Sequence, residues 1–212
     1  MYKNVLFDLD GTLTNTSLGI CNGFIYALEK YNIKIDEAKS LYSFIGPPLF
    51  DSFKTFNFTD EEANQAVAFY REYYKDKGLF ENEVYENIHF MLDALKSRGY
   101  TLAVATSKPT VFSVEILKHF DLDKYFSFVS GATLDGKLSK KCDIIKVALD
   151  TLNLNPNETI MVGDRNSDIL GAKEHNLDSI GVLYGFGNKE EFENAGATFI
   201  IEAALDILDI LK

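Results

Sequence analysis

Short apolar runs alternate with helix-length amphipathic stretches through most of this chain, and that alternation limits the fold more than any other feature. Val5-Leu6-Phe7 is a continuous apolar run ended by Asp8 and Gly11, which reads as a buried strand. Residues 84–98 carry Val84, Ile88, Met91, Leu92 and Leu95 at helical spacing, with Gly99 placed to end the helix. TLAVAT (101–106) reads as the next strand, followed by a helix with Val111, Val114, Ile116 and Leu117 and then by the strand FSFVS (126–130). Ser139 is placed to cap a helix carrying Ile144, Ile145, Ala148, Leu149 and Leu152. TIMVG (159–163) reads as a strand, 169–173 as a short helix, SIGVL (179–183) as a strand, and 198–201 as a last strand before a helical EAALDILDILK. Such alternation predicts an α/β fold: a doubly wound, mostly parallel sheet with both faces covered.

Residues 14–81 break the pattern. They read as mainly helical, lack a convincing strand, and hold 14 of the chain's 28 aromatic residues. The expected organisation is therefore an α/β core of residues 1–13 and 82–212, with a helical insertion at 14–81 hinged near Thr14 and Glu81. The aromatic residues are expected to form the core of a small helical bundle.

Charge narrows the function classes. The net charge of −11 and pI of about 4.7 repel a nucleic-acid backbone, so a nucleic-acid polymer is not expected as a partner. A phosphate-handling site in so acidic a chain needs a local positive charge, which a bound divalent cation supplies. No apolar stretch reaches the roughly 18 residues of a membrane span, and the opening residues do not read as a secretory signal. Cys21 and Cys142 form no CxxC pattern, and His89, His119 and His175 have no metal-ligand spacing. A cytoplasmic protein, monomer or homodimer, is expected.

Three residues able to handle phosphate end three separate apolar strands: Asp8 after VLF, Thr106 after LAVA, and Asp164 after IMVG. Ligands of doubly wound sheets bind outside the carboxyl ends of the strands, so these distant positions are expected to meet in one crevice. In Asp8-Leu9-Asp10-Gly11-Thr12, strand alternation points Asp8 and Asp10 the same way. One carboxylate can attack phosphorus while the other gives and takes protons. Gly11 permits a sharp turn that leaves backbone N–H groups for phosphate oxygens. Each position also has an ordinary reading. DxDG is a common strand end and turn, Thr106 a strand-end hydroxyl, Ser107 an exposed turn serine or a phosphate ligand, and Asp164 and Asp168 acids at a helix N-terminus. Of the adjacent Lys140 and Lys141, spacing to the apolar IIKVAL run favours Lys141 as the site lysine, with Lys140 solvated.

Taken together, DLDGT, the strand-end Thr106, the later lysine and GDRNSD (163–168) resemble the motifs of the haloacid dehalogenase (HAD) superfamily over essentially the whole chain. VATSKP, IGPPL, GDRNSDILGA and YGFGNKEEFENAGA resemble its phosphoglycolate phosphatase-like branch, in which a C1-type helical cap occupies the insertion. The resemblance implies a Mg²⁺-dependent phosphatase acting on a small phosphorylated metabolite. Asp8 would be nucleophile and metal ligand, and Asp10 general acid and base with its backbone carbonyl on the metal. Thr106 and Lys141 would bind the phosphoryl group, with Gly11 and Ser107 as further substrate contacts. Asp164 would ligate Mg²⁺, and Asp168 would support the metal shell or position the lysine. It also implies a cap segment at Gly46-Pro47-Pro48-Leu49, whereas Arg71 and the lysines of the insertion receive no role. Phosphoglycolate, a nucleoside monophosphate and pyrophosphate are all candidate substrates. A phosphomutase or pyrophosphatase on the same scaffold, or a non-catalytic binding protein, are the rival readings. A dehalogenase leaves Asp10 and the metal-binding acids without a task, and a transport ATPase needs a membrane span.

Overall fold

The structure is a computed structural model describing residues 1–212. Its strands are β1 (Asn4–Phe7), β2 (Thr14–Asn15), β3 (Glu83–Val84), β4 (Thr101–Pro109), β5 (Phe128–Ala132), β6 (Thr159–Gly163), β7 (Asp178–Val182) and β8 (Phe199–Ile201). Its α-helices are α1 (Ser17–Glu29), α2 (Leu49–Lys54), α3 (Asp60–Tyr73), α4 (Ile88–Ser97), α5 (Thr110–His119), α6 (Lys141–Leu152), α7 (Asn166–Lys173), α8 (Lys189–Ala195) and α9 (Ile207–Ile210). No helix is long and apolar enough to cross a membrane. The chain resolves into two compact units, one of Met1–Thr14 with Val84–Lys212 and one of Asn15–Glu83. β2 and β3, at the two crossings, pair with each other.

In the first unit six strands form one sheet in the order β5-β4-β1-β6-β7-β8, and all five pairings between neighbours are parallel. β1 is central because Val5, Leu6 and Phe7 have no exposed surface and need cover on both faces. Leu6, Ala103, Ala105 and Met161 pack with Ile144, Ile145, Ala148 and Leu149 of α6 and Ala172 of α7. Alternation sends Val5 and Phe7 to the opposite face, where Phe7 meets the edge of Phe126 at 6.2 Å between ring centres. Each such fully buried Leu, Ile or Phe contributes about 1.5–3 kcal/mol relative to an exposed one.

Register then places the chemistry. Phe7 lies level with Val104 of β4 and Val162 of β6, so Asp8, Thr106 and Asp164 lie within one residue of the same level. The chain runs from β1 outward to β4 and β5, then returns to β6 on the other side of β1. That reversal is a topological switch point, and ligands of doubly wound sheets bind outside the carboxyl ends of the strands there.

Several boundaries differ from the sequence expectation. Val84 belongs to β3, and the helix predicted from residue 84 begins at Ile88, after Asn87 in the left-handed region (φ 63°). Ser139 does not cap α6; Lys140, with extended backbone, stands at the N-cap and makes no side-chain cap bond. β4 continues past Thr106 to Pro109, with a register break between those residues in its pairing with β5. The expected C-terminal helix shrinks to a 3₁₀ turn and the single turn α9, with Asp206 accepting from the Ala203 N–H at 2.9 Å.

The second unit is helical. α3 starts at a capping box, in which Thr59 accepts from the Glu62 N–H at 3.2 Å and Glu62 accepts from the Thr59 N–H at 2.8 Å. Phe24 of α1 sits at the middle of an aromatic cluster, 4.8 Å from Phe53, 5.3 Å from Tyr70 and 5.4 Å from Phe44 between ring centres. Phe24 and Phe53 have no exposed surface, so these aromatic residues form the core of this unit.

Candidate active site

Asp8 follows the last residue of β1, and its N–H continues the ladder by donating to the Val162 carbonyl at 2.9 Å. Its Oδ1 accepts from the Leu9 N–H at 2.7 Å, while its Oδ2 lies 2.9 Å from Lys141 Nζ. Lys141 is the first residue of α6 and turns inward, whereas Lys140 is exposed. Its buried ammonium also lies 2.8 Å from Asp168 Oδ1 and donates to the Ala105 carbonyl at 3.2 Å. Asp168, in the first turn of α7, has no exposed surface; its Oδ2 accepts from the Arg165 N–H at 3.0 Å. Both Asp168 oxygens are therefore engaged in holding Lys141 and the start of α7.

Asp164 follows β6. Its Oδ2 accepts from the Phe186 N–H at 2.9 Å, and its buried Oδ1 has no hydrogen-bond partner. Gly11 makes this approach possible. It has φ of 80°, and a Cβ there would collide with the Asp164 carboxylate and the Phe186 ring. The Gly11 N–H, however, donates to the Thr14 carbonyl at 2.8 Å instead of facing a ligand. The N–H groups of Thr12, Leu13 and Thr14 all converge on the Leu9 carbonyl, at 2.9–3.2 Å. This turn uses the N–H groups that the sequence reading offered to phosphate.

Strand alternation does not orient Asp10, because β1 ends at Phe7. Its Oδ2 lies 2.7 Å from Lys108 Nζ, and its buried Oδ1 has no hydrogen-bond partner. Thr106 is buried, and its Oγ1 accepts from the Lys108 N–H at 3.2 Å; Ser107 beside it is half-buried. Lys108, paired with Asp10, is a residue of this site that the sequence reading did not single out. It stood in plain view in VATSKP, but nothing in its spacing joined it to Asp10. The backbone N–H of Phe186 lies in the YGFG segment, to which the sequence reading gave no role in the site.

Electrostatics give this crevice its character. Asp8, Asp164 and Asp168 each offer a carboxylate oxygen, all within 4.8 Å of one another. Burial, helped by the charges of Asp168 and Asp8, pushes the Asp164 carboxyl well above the usual carboxylate range. Burial and Asp8 raise Asp168 to about 6 against the pull of Lys141. Burial alone would lower Lys141, but the carboxylates of Asp168 and Asp8 outweigh it and keep the ammonium charged. Fully ionised, three carboxylates against one ammonium leave two negative charges, the deficit that one divalent cation fills. The donors are all oxygen and Asp164 Oδ1 lacks a partner, which fits a hard ion such as Mg²⁺.

Comparison with known proteins shows what the chain resembles. A family model described as haloacid dehalogenase-like hydrolase matches residues 5–182. A 5'-nucleotidase of Pseudomonas aeruginosa is 44% identical over 191 residues, covering 90% of this chain and 86% of that protein. The tyrosine-protein kinase PtkA of Mycobacterium tuberculosis is 34% identical over 94% of this chain and 68% of its own length. The pyrophosphatase PpaX of Halalkalibacterium halodurans is 32% identical over 99% and 96%. A crystal structure of a predicted phosphatase from Clostridium acetobutylicum superimposes with a TM-score of 0.95 at 48% identity, covering 100% of this chain and 98% of that one.

Proposed function

The chain belongs to the haloacid dehalogenase-like hydrolase family and is a phosphatase of that family; from that premise we propose that it hydrolyses a small phosphorylated metabolite through a Mg²⁺-dependent aspartyl-phosphate at Asp8. One observation carries the reading: a buried lysine ammonium lies 2.9 Å from a carboxylate at the carboxyl end of the central strand. A carboxylate repels a phosphate dianion, and Lys141 offsets that repulsion where the charges meet.

In the first half-reaction an Asp8 oxygen bonds to phosphorus, the ester P–O bond breaks, and Asp10 protonates the departing oxygen. In the second, water attacks phosphorus, Asp10 takes its proton, and the bond from Asp8 to phosphorus breaks to release phosphate. Thr106 Oγ1 already accepts the Lys108 N–H, so its own hydrogen remains to donate to a phosphoryl oxygen. Asp168 keeps Lys141 in place. Asp8 and Asp164, with the Asp10 backbone carbonyl, would hold Mg²⁺, which when bound supplies positive charge between nucleophile and phosphoryl group.

The name of the 44% identical relative makes nucleoside monophosphates the first substrates to test. Pyrophosphate stands second, on the relative that matches nearly the whole chain. The test is phosphate release from a panel of phosphorylated metabolites and pyrophosphate, with and without Mg²⁺. Release should need Mg²⁺ and fall to background in Asp8→Asn; undiminished turnover by that variant would sink the mechanism. Transfer of the phosphoryl group to a sugar without phosphate release would establish the mutase instead.

A further inference from the structure

The residue that the sequence reading passed over has a defined place here. Lys108 lies beyond Thr106, where β4 breaks register with β5 and the backbone turns toward α5. Its backbone is held at two points: its N–H donates to Thr106 Oγ1 at 3.2 Å, and its carbonyl accepts from Ser113 Oγ at 3.5 Å. Gly131 of β5 lets this segment pass, since a Cβ there would lie 2.6 Å from the Lys108 carbonyl oxygen. From that base the ammonium reaches Asp10 Oδ2 at 2.7 Å, with the two side chains only 6% and 16% exposed. The other oxygen of the same carboxylate, Oδ1, is buried and has no partner.

We propose that Lys108 is a positioning residue: by holding Oδ2 it fixes the plane of the Asp10 carboxylate, so that Oδ1 is the atom that gives and then takes the proton. The inference rests on the phosphatase reading above. A carboxylate with free rotation presents either oxygen in many orientations, and proton transfer demands hydrogen-bond reach and alignment. An ion pair with little exposed surface removes that freedom. In the forward step the Oδ1–H bond breaks as the leaving oxygen is protonated. In the hydrolytic step the water proton restores it. Lys108 keeps its own protons throughout.

The experiment compares wild type, Lys108→Met, Lys108→Arg, Asp10→Asn and the Lys108→Met/Asp10→Asn double variant on an alkyl phosphate and on 4-nitrophenyl phosphate, with melting temperatures beside the kinetics. Lys108→Met should lower kcat on the alkyl ester by about 10–10²-fold, part of the range for general acid–base catalysis, with KM little changed. The loss should be smaller on the aryl ester, whose leaving group needs less protonation. Lys108→Arg should recover part of the rate, and in the Asp10→Asn background Lys108→Met should cost less than about threefold more, because its target is already gone. Additive losses, or a rise in KM with kcat unchanged, would overturn the inference and make Lys108 a substrate ligand. A rate loss that follows the melting temperature and is equal on both esters would overturn it in favour of a structural role. These outcomes leave the phosphatase reading standing if Asp8→Asn is inactive; an active Asp8→Asn would overturn both.

Discussion

Asp164→Asn removes one of three carboxylates whose oxygens lie within 4.8 Å of one another, and it should stabilise the metal-free protein. Asp164 is 1% exposed, and its Oδ1 has no partner. Asparagine is nearly the same size. Its carbonyl oxygen can still accept the Phe186 N–H, now 2.9 Å from Asp164, and its NH₂ can face the remaining carboxylates. Relief of a buried, unsatisfied polar atom is worth about 1–3 kcal/mol, so the variant should unfold later by that amount at pH 7.5 in EDTA. For a chain of this size that is roughly 2–12 °C in Tm. The pH dependence has a definite sign. The folded-state pKa of Asp164 is raised above its unfolded value, so its favourable share is complete below about pH 4 and is lost as pH rises through the raised value. The gap between variant and wild type therefore opens with rising pH and closes toward pH 4. Mg²⁺ should invert the order. At a hundredfold excess over its Kd, an ion bound only to the folded state adds about 2.7 kcal/mol, and the variant should lose most of that. Melting curves of both proteins from pH 4.5 to 8, in EDTA and in Mg²⁺, decide the matter. A variant less stable than wild type in EDTA at every pH, or equal stabilisation of both by Mg²⁺, would refute the reasoning.

Two further substitutions test how the parts are built. Gly11→Ala places a methyl group against the Asp164 carboxylate at a φ of 80°; it should cost about 1–2 kcal/mol in backbone strain and lower kcat about 10²-fold by shifting that carboxylate, measured by denaturation and steady-state kinetics. Phe53→Ala empties a fully buried position 4.8 Å from the Phe24 ring centre and should destabilise the helical unit by about 3–5 kcal/mol. Hydrogen exchange should show the loss in α1 and α3 while β1, β4 and β6 keep their protection, and uniform loss across both units would contradict that partition.

Much of this architecture was legible in advance because burial imposes a period on the sequence. Val5-Leu6-Phe7, LAVA and IMVG are continuous apolar runs since each strand is covered on both faces, and the residue that ends such a run emerges at the carboxyl edge of the sheet. The sequence alone therefore brings Asp8, Thr106 and Asp164 to one edge of the sheet. Element ends were less legible. Ser139 is a good cap by residue type, yet α6 starts after Lys140, so that Lys141 at its first position turns its ammonium to Asp8 and Asp168.

The sequence by itself determined the order of strands and helices and the level at which the acids leave the sheet, because hydrophobic periodicity is a local property that each segment carries alone. Only the tertiary structure decided which charge meets which. The contacts of Lys141, which spacing already favoured over Lys140, with Asp8 and Asp168, the engagement of Asp168 with the Arg165 N–H, and the union of Lys108 with Asp10 across 98 positions of chain all depend on where long side chains end in space. A pattern of apolar and polar residues records that a charge is present. It does not record the partner, because a flexible side chain reaches several neighbours and the fold brings only some of them within hydrogen-bond distance.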